Sequence, residues 1–353
     1  MGRIITPDQA LILPKGPRGF NADGLEIPTA YAGLGGRYRM QVHKAKSGTL
    51  SHDTGWFSNL ITNTGLVNMA TAGIINEWAA GCAVGTGNTT PQNTDTQLAN
   101  YLTKVGAQGS YNPAGIMSYV PQNGSTPPMW VLTYTFVFPT GAAAGNLTEI
   151  GTFSPNNPTG QLALTSRALI VDSNGNPTSI TVLSNEILTV TYQILFYLDP
   201  TDHAFTFNVN GSPVTGTYRI MNMATPTACY WTLQSSSGSN GYASTYIYVY
   251  SGNMGINTGA PTGSSTSFTC YTGNCTMTFV NDIVNSDTCY VDVQNVTFTA
   301  TQANYAGGIN SFSAESRFQR MQFGNLSAPI NKIAGQQLTM GFRFAWGRYP
   351  AGS

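Results

Sequence analysis

The sequence predicts a mainly β fold: antiparallel β-sandwich domains with an extended N-terminal arm and one or two short helices. Three observations carry this. Residues 130–138 (WVLTYTFVF) and 186–198 (EILTVTYQILFYL) are dense in β-branched and aromatic residues, which pack well on a pleated surface. Similar runs recur along the chain, separated by Asn-Gly, Gly-Asn and Ser-Gly pairs that favour turns with positive φ, Asn210 and Gly211 among them. Strands of this length joined by short polar turns fit packed antiparallel sheets better than a barrel around a ligand.

Residues 1–36 mix Pro, Gly and scattered apolar residues such as Ile4, Ile5, Leu11 and Leu13, with no helical or strand period. They read as an extended arm that borrows a core from a neighbour. Residues 37–43 (RYRMQVH) alternate as a strand. Thr64 reads as the N-cap of a helix through Leu66, Val67, Met69, Ala70, Ile74 and Trp78, stopped at Gly81. Thr94 with Gln97 has the form of a capping box for a second short helix through Leu98, Tyr101 and Leu102.

Beyond Trp130 the pattern is strand and turn, with further strands expected at residues 162–171, 205–209, 245–250, 290–300, 311–323 and 337–346. A boundary is expected near residues 199–203 (DPTDH), where the longest strand ends in turn residues. The chain then divides into the arm (1–36), a β-sandwich domain with two short helices (37–200) and a second β-rich domain (201–353). Residues 235–240 (SSSGSN) read as a loop of the second domain.

Of 353 residues, 41% are apolar and only 8% charged, against roughly 25% charged in an average soluble domain. The polar surface therefore comes from Asn, Thr, Ser, Gln and Gly. Such a surface loses less free energy on desolvation than one of Lys and Glu, which suits a protein buried in an assembly. Fifteen basic and fifteen acidic residues cancel, but both ends are basic and the middle is acidic, an asymmetry able to steer contacts between subunits. Zero net charge argues against nucleic-acid binding. The N-terminus lacks the apolar run of a secretory signal, and no stretch approaches the roughly 18 apolar residues of a membrane span. A chain made in a cytoplasm, with no membrane span, is expected.

The search for chemistry assigns no catalytic, cofactor-binding or metal-ligating residue. Five cysteines (Cys82, Cys229, Cys270, Cys275, Cys289) are odd in number and irregular in spacing, which fits no disulfide framework. No second Cys pair or His stands near Cys270 and Cys275 to complete a tetrahedral zinc site, since His43, His52 and His203 all lie earlier in the chain. Residues 84–91 (VGTGNTTP) hold a Gly-x-Gly without the third Gly or the following long helix that phosphate binding needs, and read as a turn.

Paired carboxylates for glycoside hydrolysis would come from Glu149, Asp172, Glu186, Asp199 or Asp202, each better read as a turn or strand-edge residue. Ser51, His52 and Asp53 are sequence neighbours, unlike a catalytic triad, and read as a polar loop. Tyr246, Tyr248 and Tyr250, at alternate positions, suit sheet packing or a subunit contact, with sugar stacking the sharper alternative. Arg167 stands among apolar residues and is expected to pair with Glu149 or Glu186.

Residues 55–66 (GWFSNLITNTGL), 84–98 (VGTGNTTPQNTDTQL), 145–151 (GNLTEIG), 167–177 (RALIVDSNGNP) and 187–192 (ILTVTY) occur in that order, with a weaker echo at 338–348 (LTMGFRFAWGR). In these phrases the chain resembles structural proteins of tailed bacteriophages, tail-fibre and minor tail proteins in particular. The resemblance implies a non-enzymatic virion component with no cofactor, attached through its N-terminal arm, whose partners are other virion proteins and copies of itself. A capsid decoration protein, or an adhesin that binds a host surface glycan, are the alternatives. Residues 201–330 carry none of the resemblance.

Overall fold

The computed structural model describes residues 19–20, 26–71, 78–106, 116–121, 123, 127–154, 163–199, 201–209, 212–222, 245–255, 261–270, 276–284, 288–315 and 319–349. The fold is mainly β, 59% strand and 4% helix, in several antiparallel sheets of the β-sandwich type. In chain order come β1 (Gly19–Phe20), β2 (Glu26–Ile27), β3 (Thr29–Lys44), β4 (Leu50–Ser58), β5 (Leu60–Ile61) and α1 (Asn63–Thr71). Next are β6 (Gly81–Gly85), β7 (Tyr101–Gly106), β8 (Ile116–Val120), β9 (Met129–Phe138), β10 (Gly145–Leu147), β11 (Glu149–Ser154), β12 (Ala163–Leu169), β13 (Ile180–Val182) and β14 (Glu186–Leu198). The remainder are β15 (His203–Val209), β16 (Ser212–Asn222), β17 (Thr245–Tyr250), β18 (Ser265–Cys270), β19 (Thr276–Val284), β20 (Thr288–Phe298), β21 (Ser311–Glu315), β22 (Gln319–Gly324) and β23 (Leu338–Arg348).

The largest sheet runs β19-β20-β23-β3-β14-β9-β8, with β4 also on β3. One edge of β3 is antiparallel to β14 along Ala32–Lys44. Its other edge is shared: β23 lies parallel along Thr29–Leu34 and β4 antiparallel along Arg37–His43. Alternation decides the faces. On β14, Leu188, Val190, Tyr192, Ile194, Phe196 and Leu198 are buried, while Thr189, Thr191 and Gln193 turn to the half-exposed side.

A five-stranded sheet, β5-β12-β11-β6-β7, is tied to that buried face. The hydroxyls of Tyr38 on β3 and Ser166 on β12 lie 2.6 Å apart, and Ser166 meets Thr152 at 2.6 Å. Hydroxyls buried together are mutually satisfied, which removes most of their desolvation cost. Burial raises the Tyr38 and Tyr192 phenols well above the ordinary tyrosine range. Close approach sets a glycine here: a Cβ on Gly36 would lie 2.4 Å from Asn59 Oδ1 and 2.6 Å from Tyr192 Oη.

Strand β3 corrects the arm as first read. Residues 29–36 are the centre of the sheet, with Ala32 and Leu34 wholly buried, and the small Gly35 and Gly36 that blur the strand period permit close packing there. Residues 1–18 lie outside the described residues. The boundary expected near residue 200 falls within shared structure. From β14 the chain enters a six-stranded sheet, β15-β16-β22-β21-β17-β18, yet β19, β20 and β23 return to the large sheet. Ile194, Phe298 and Phe323 belong to one apolar core. The run at 311–323 is two antiparallel strands, β21 and β22.

Helix α1 starts at Asn63, and its cap is Thr62, two residues before the predicted cap at Thr64. The Thr62 hydroxyl accepts the Gly65 N–H at 3.0 Å and donates to Leu164 O at 2.5 Å, so a contact with β12 fixes the cap. Ile74 lies outside the described residues. Trp78 is buried, and its Nε1–H donates to Gly65 O at 2.7 Å.

The second predicted helix is not formed. Residues Tyr101–Gly106 pair with β6 as β7, and the turn before them has its own ties: Gln92 N–H donates to Asp95 Oδ2 at 2.8 Å, and Asp95 N–H to Gln92 O at 3.0 Å. Sheet pairing outweighs the cap signal because so short a helix is marginal by itself.

Candidate functional site

Between the two sheets the chain changes allegiance at Asn59. Strand β4 belongs to the large sheet, β5 to the five-stranded one, and Asn59 N–H donates to Gly36 O at 3.2 Å at the crossing. A cleft of about 630 Å³ opens beside this crossing, lined by residues 58–60, the loop at 90–94, Arg167, Ala168 and Leu169 of β12, and Arg348 at the end of β23.

Arg167 is the best-connected group of the site and is only 2% exposed. Its Nε and Nη2 donate to Glu149 Oε2 at 3.0 and 2.8 Å, its Nη1 to Asp95 Oδ2 at 2.6 Å, and its Nη2 also to the carbonyl and hydroxyl oxygens of Thr89 at 3.0 Å. Glu149, wholly buried, accepts further N–H bonds from Gly87 (3.0 Å) and Asn100 (2.7 Å) on Oε1 and from Ala99 (3.0 Å) on Oε2. A buried ion pair is tolerable when its remaining donors and acceptors are met in this way. The planar guanidinium joins β11, β12 and the 86–100 loop at one point.

The Gly-x-Gly finds its reason here. A Cβ on Gly85 would lie 2.7 Å from Glu149 Oε1, and one on Gly87 2.4 Å from it. These glycines make room for the protein's own carboxylate, with Gly87 N–H turned onto it.

Arg348 is 3% exposed; its Nε donates to Ile61 O and its Nη2 to Asn63 Oδ1, both at 2.5 Å. Asn63 N–H in turn donates to Asn93 O at 2.7 Å. The C-terminal strand, the start of α1 and the loop are thereby connected. Asn59 is 5% exposed, and its Oδ1 has no hydrogen-bond partner among the described residues.

The predicted pairing of Arg167 with Glu149 is formed, and Asp95 joins it. Nothing in the sequence around Asp95 marks that role. The other carboxylates considered for catalysis stand apart, each with a local partner. Glu186 accepts from Ser51 Oγ at 2.7 Å and Leu183 N–H at 2.9 Å, and the Ser51 bond first of all lowers its pKa. Asp172 accepts the N–H groups of Asn174 and Asn176 in its own turn. Asp199 meets His203 Nε2 at 2.9 Å, and Asp202 pairs with Arg219.

Ser51, His52 and Asp53 are strand residues of β4, not a loop. Alternation points Asp53 at Arg39, 2.5 Å from its Nη2. Cys82 is a buried free thiol and Cys289 is buried as well, while Cys229 and Cys275 lie outside the described residues. Among the described residues no group of three or more His, Cys, Asp or Glu side chains comes together. None of the described helical segments is long and apolar enough to cross a membrane. Set against family models, curated proteins and solved structures, the chain matches none of them.

Proposed function

We propose that this chain is a structural subunit of a tailed-bacteriophage particle, held among copies of itself and other virion proteins, at the tail or its fibres. The observation that carries the reading is the surface: in a chain with only 8% charged residues, Leu50, Tyr101, Leu183 and Ile333 are 47–55% exposed. A surface poor in ions loses little free energy on desolvation, and these side chains gain from burial against another protein. The resemblance in the phrases between residues 55 and 192 supports the phage setting. The buried ions support a structural role, because Arg167 and Glu149 spend their bonds on fixing a loop.

The test is immunogold electron microscopy of purified particles with antibody against residues 201–330. Label on tail or fibres is expected. Label spread over the head would make this a decoration protein, and particles without label would overturn the virion reading. Anchoring by the arm is tested by a deletion that stops before Thr29, because one reaching Gly36 removes part of β3.

A further inference from the structure

The half-exposed face of the large sheet holds a guanidinium that is fixed in place but not neutralised. Arg37 stands opposite Gln193, Gln193 opposite Thr133, and Trp56 opposite Arg39. Residues opposite each other in antiparallel strands share a face, so these side chains lie together. Arg37 Nε–H donates to Gln193 Oε1 at 2.7 Å, and Gln193 Nε2–H donates to Thr133 Oγ1 at 3.1 Å. The guanidinium carbon of Arg37 lies 4.7 Å from the centre of the Trp56 ring. A bond at Nε and a ring at its side hold the planar group in one orientation. Among the described residues, the two Nη nitrogens of Arg37 form no hydrogen bond and no ion pair.

The acid on this face is already used. Asp53 accepts Arg39 on both oxygens, the Gly55 N–H on Oδ1 and the Gln41 amide on Oδ2. Arg167 and Arg219, by contrast, each meet a carboxylate. The remaining polar groups around Arg37 are bonded to one another, so the face offers few free donors and acceptors to the hydroxyls of a sugar. A doubly charged phosphate would draw on a second cation, and Arg39 is neutralised by Asp53. What is left is a pair of Nη donors beside an indole that is 39% exposed. A carboxylate matches that fork with two parallel bonds, and Trp and Arg are the residues that most often dominate contacts between proteins.

We propose that this face docks against a neighbouring protein subunit, which presents an Asp or Glu side chain to the Nη pair of Arg37 and packs its flank on Trp56. This rests on the assembly reading above and adds to it the surface and the chemistry of the partner.

The experiment is charge reversal in the particle, read as immunogold label per particle. Arg37→Glu lowers the label about tenfold or more, because like charges brought together at an interface are strongly disfavoured. Arg37→Gln lowers it less, and Arg37→Lys, which keeps the charge but not the two-pronged bond, least of the three. Lys46→Glu, the same reversal at an exposed turn residue, keeps the parental level. The purified variants melt within about 2 °C of the parent, as expected of substitutions outside the core. Second-site changes that restore label to Arg37→Glu particles turn an Asp or Glu of the neighbouring subunit into Lys or Arg. The proposal is overturned if label does not fall in the order Lys, Gln, Glu, if Lys46→Glu loses as much as Arg37→Glu, or if the restoring changes lie only in β3, β4 and β14 around Arg37. Parent and Arg37→Glu particles labelled alike remove this contact and leave the assembly reading standing. Parent particles without label remove the assembly reading, and this contact with it.

Discussion

Arg167 places two nitrogens on a single oxygen of Glu149, at 3.0 and 2.8 Å, and leaves the other oxygen to the backbone of the 86–100 loop. Removing either partner strands the other charge where water does not reach. Arg167→Ala and Glu149→Gln should each cost about 3–5 kcal/mol, the range for breaking a buried pair. Asp95→Asn should cost less, because that side chain is 20% exposed. In chemical denaturation a double-mutant cycle should give a coupling energy of about 1 kcal/mol or more. An unchanged melting temperature for Arg167→Ala would refute this.

Gly36 and Gly87 are set by neighbours and not by φ. Alanine at Gly36 would press on Asn59 and Tyr192, and alanine at Gly87 on Glu149 and the Ala99 Cβ, 2.6 Å away. Each substitution should cost about 1–3 kcal/mol, the usual range for overpacking. Gly175→Ala tests a different cause, since nothing lies within 4 Å of its Cβ position but φ is +80°; its cost should be about 1 kcal/mol. Thermal melts of the three variants separate crowding from backbone strain.

Acid should loosen the β3–β4 hairpin. Hydrogen bonds from Arg39 first, then Gly55 N–H and Gln41, hold the Asp53 carboxyl well below the usual range. A depressed folded-state pKa gives stability that is present above the unfolded value of about 3.9 and lost as pH falls toward the folded one. The parent protein should therefore lose melting temperature on going from about pH 5 to pH 2. Asp53→Asn, which cannot titrate, should show a flatter profile over that window. Parallel profiles would assign the acid sensitivity to other carboxylates.

Cys82 and Cys289 are wholly buried, and burial pushes the Cys82 thiol far up, away from the reactive thiolate. Iodoacetamide labelling followed by peptide mass spectrometry should find both unmodified in the native protein and both modified after denaturation. Rapid native labelling of Cys82 would mean that the two sheets separate readily.

The long strands are legible because their signal is intrinsic: density of β-branched and aromatic residues bounds β14 correctly, and β9 to within one residue. The first part of β3 is not legible, since it trades side chains for close packing at Gly35 and Gly36. The false helix at residues 94–102 shows the limit of a cap pattern, because only the distant β6 decides that Tyr101 and Leu102 are strand. In the site, Arg167 and Glu149 could be paired as lone charges among apolar neighbours. Asp95 and Arg348 could not, since their roles depend on a loop and a terminus brought in from 72 and 285 residues away.

The parallel pairing of β23 with β3 sets an order of events during synthesis. Residues 29–34 emerge from the ribosome about 310 residues before their partners at 343–348. At the roughly 5–20 residues per second of translation, that edge of β3 waits for some tens of seconds with its N–H and C=O groups unmatched. Contacts this distant in sequence also close slowly once the chain is free. The nascent protein is therefore a natural client for a chaperone that shields strand edges, and a nonsense codon even near residue 340 would leave the main sheet permanently open.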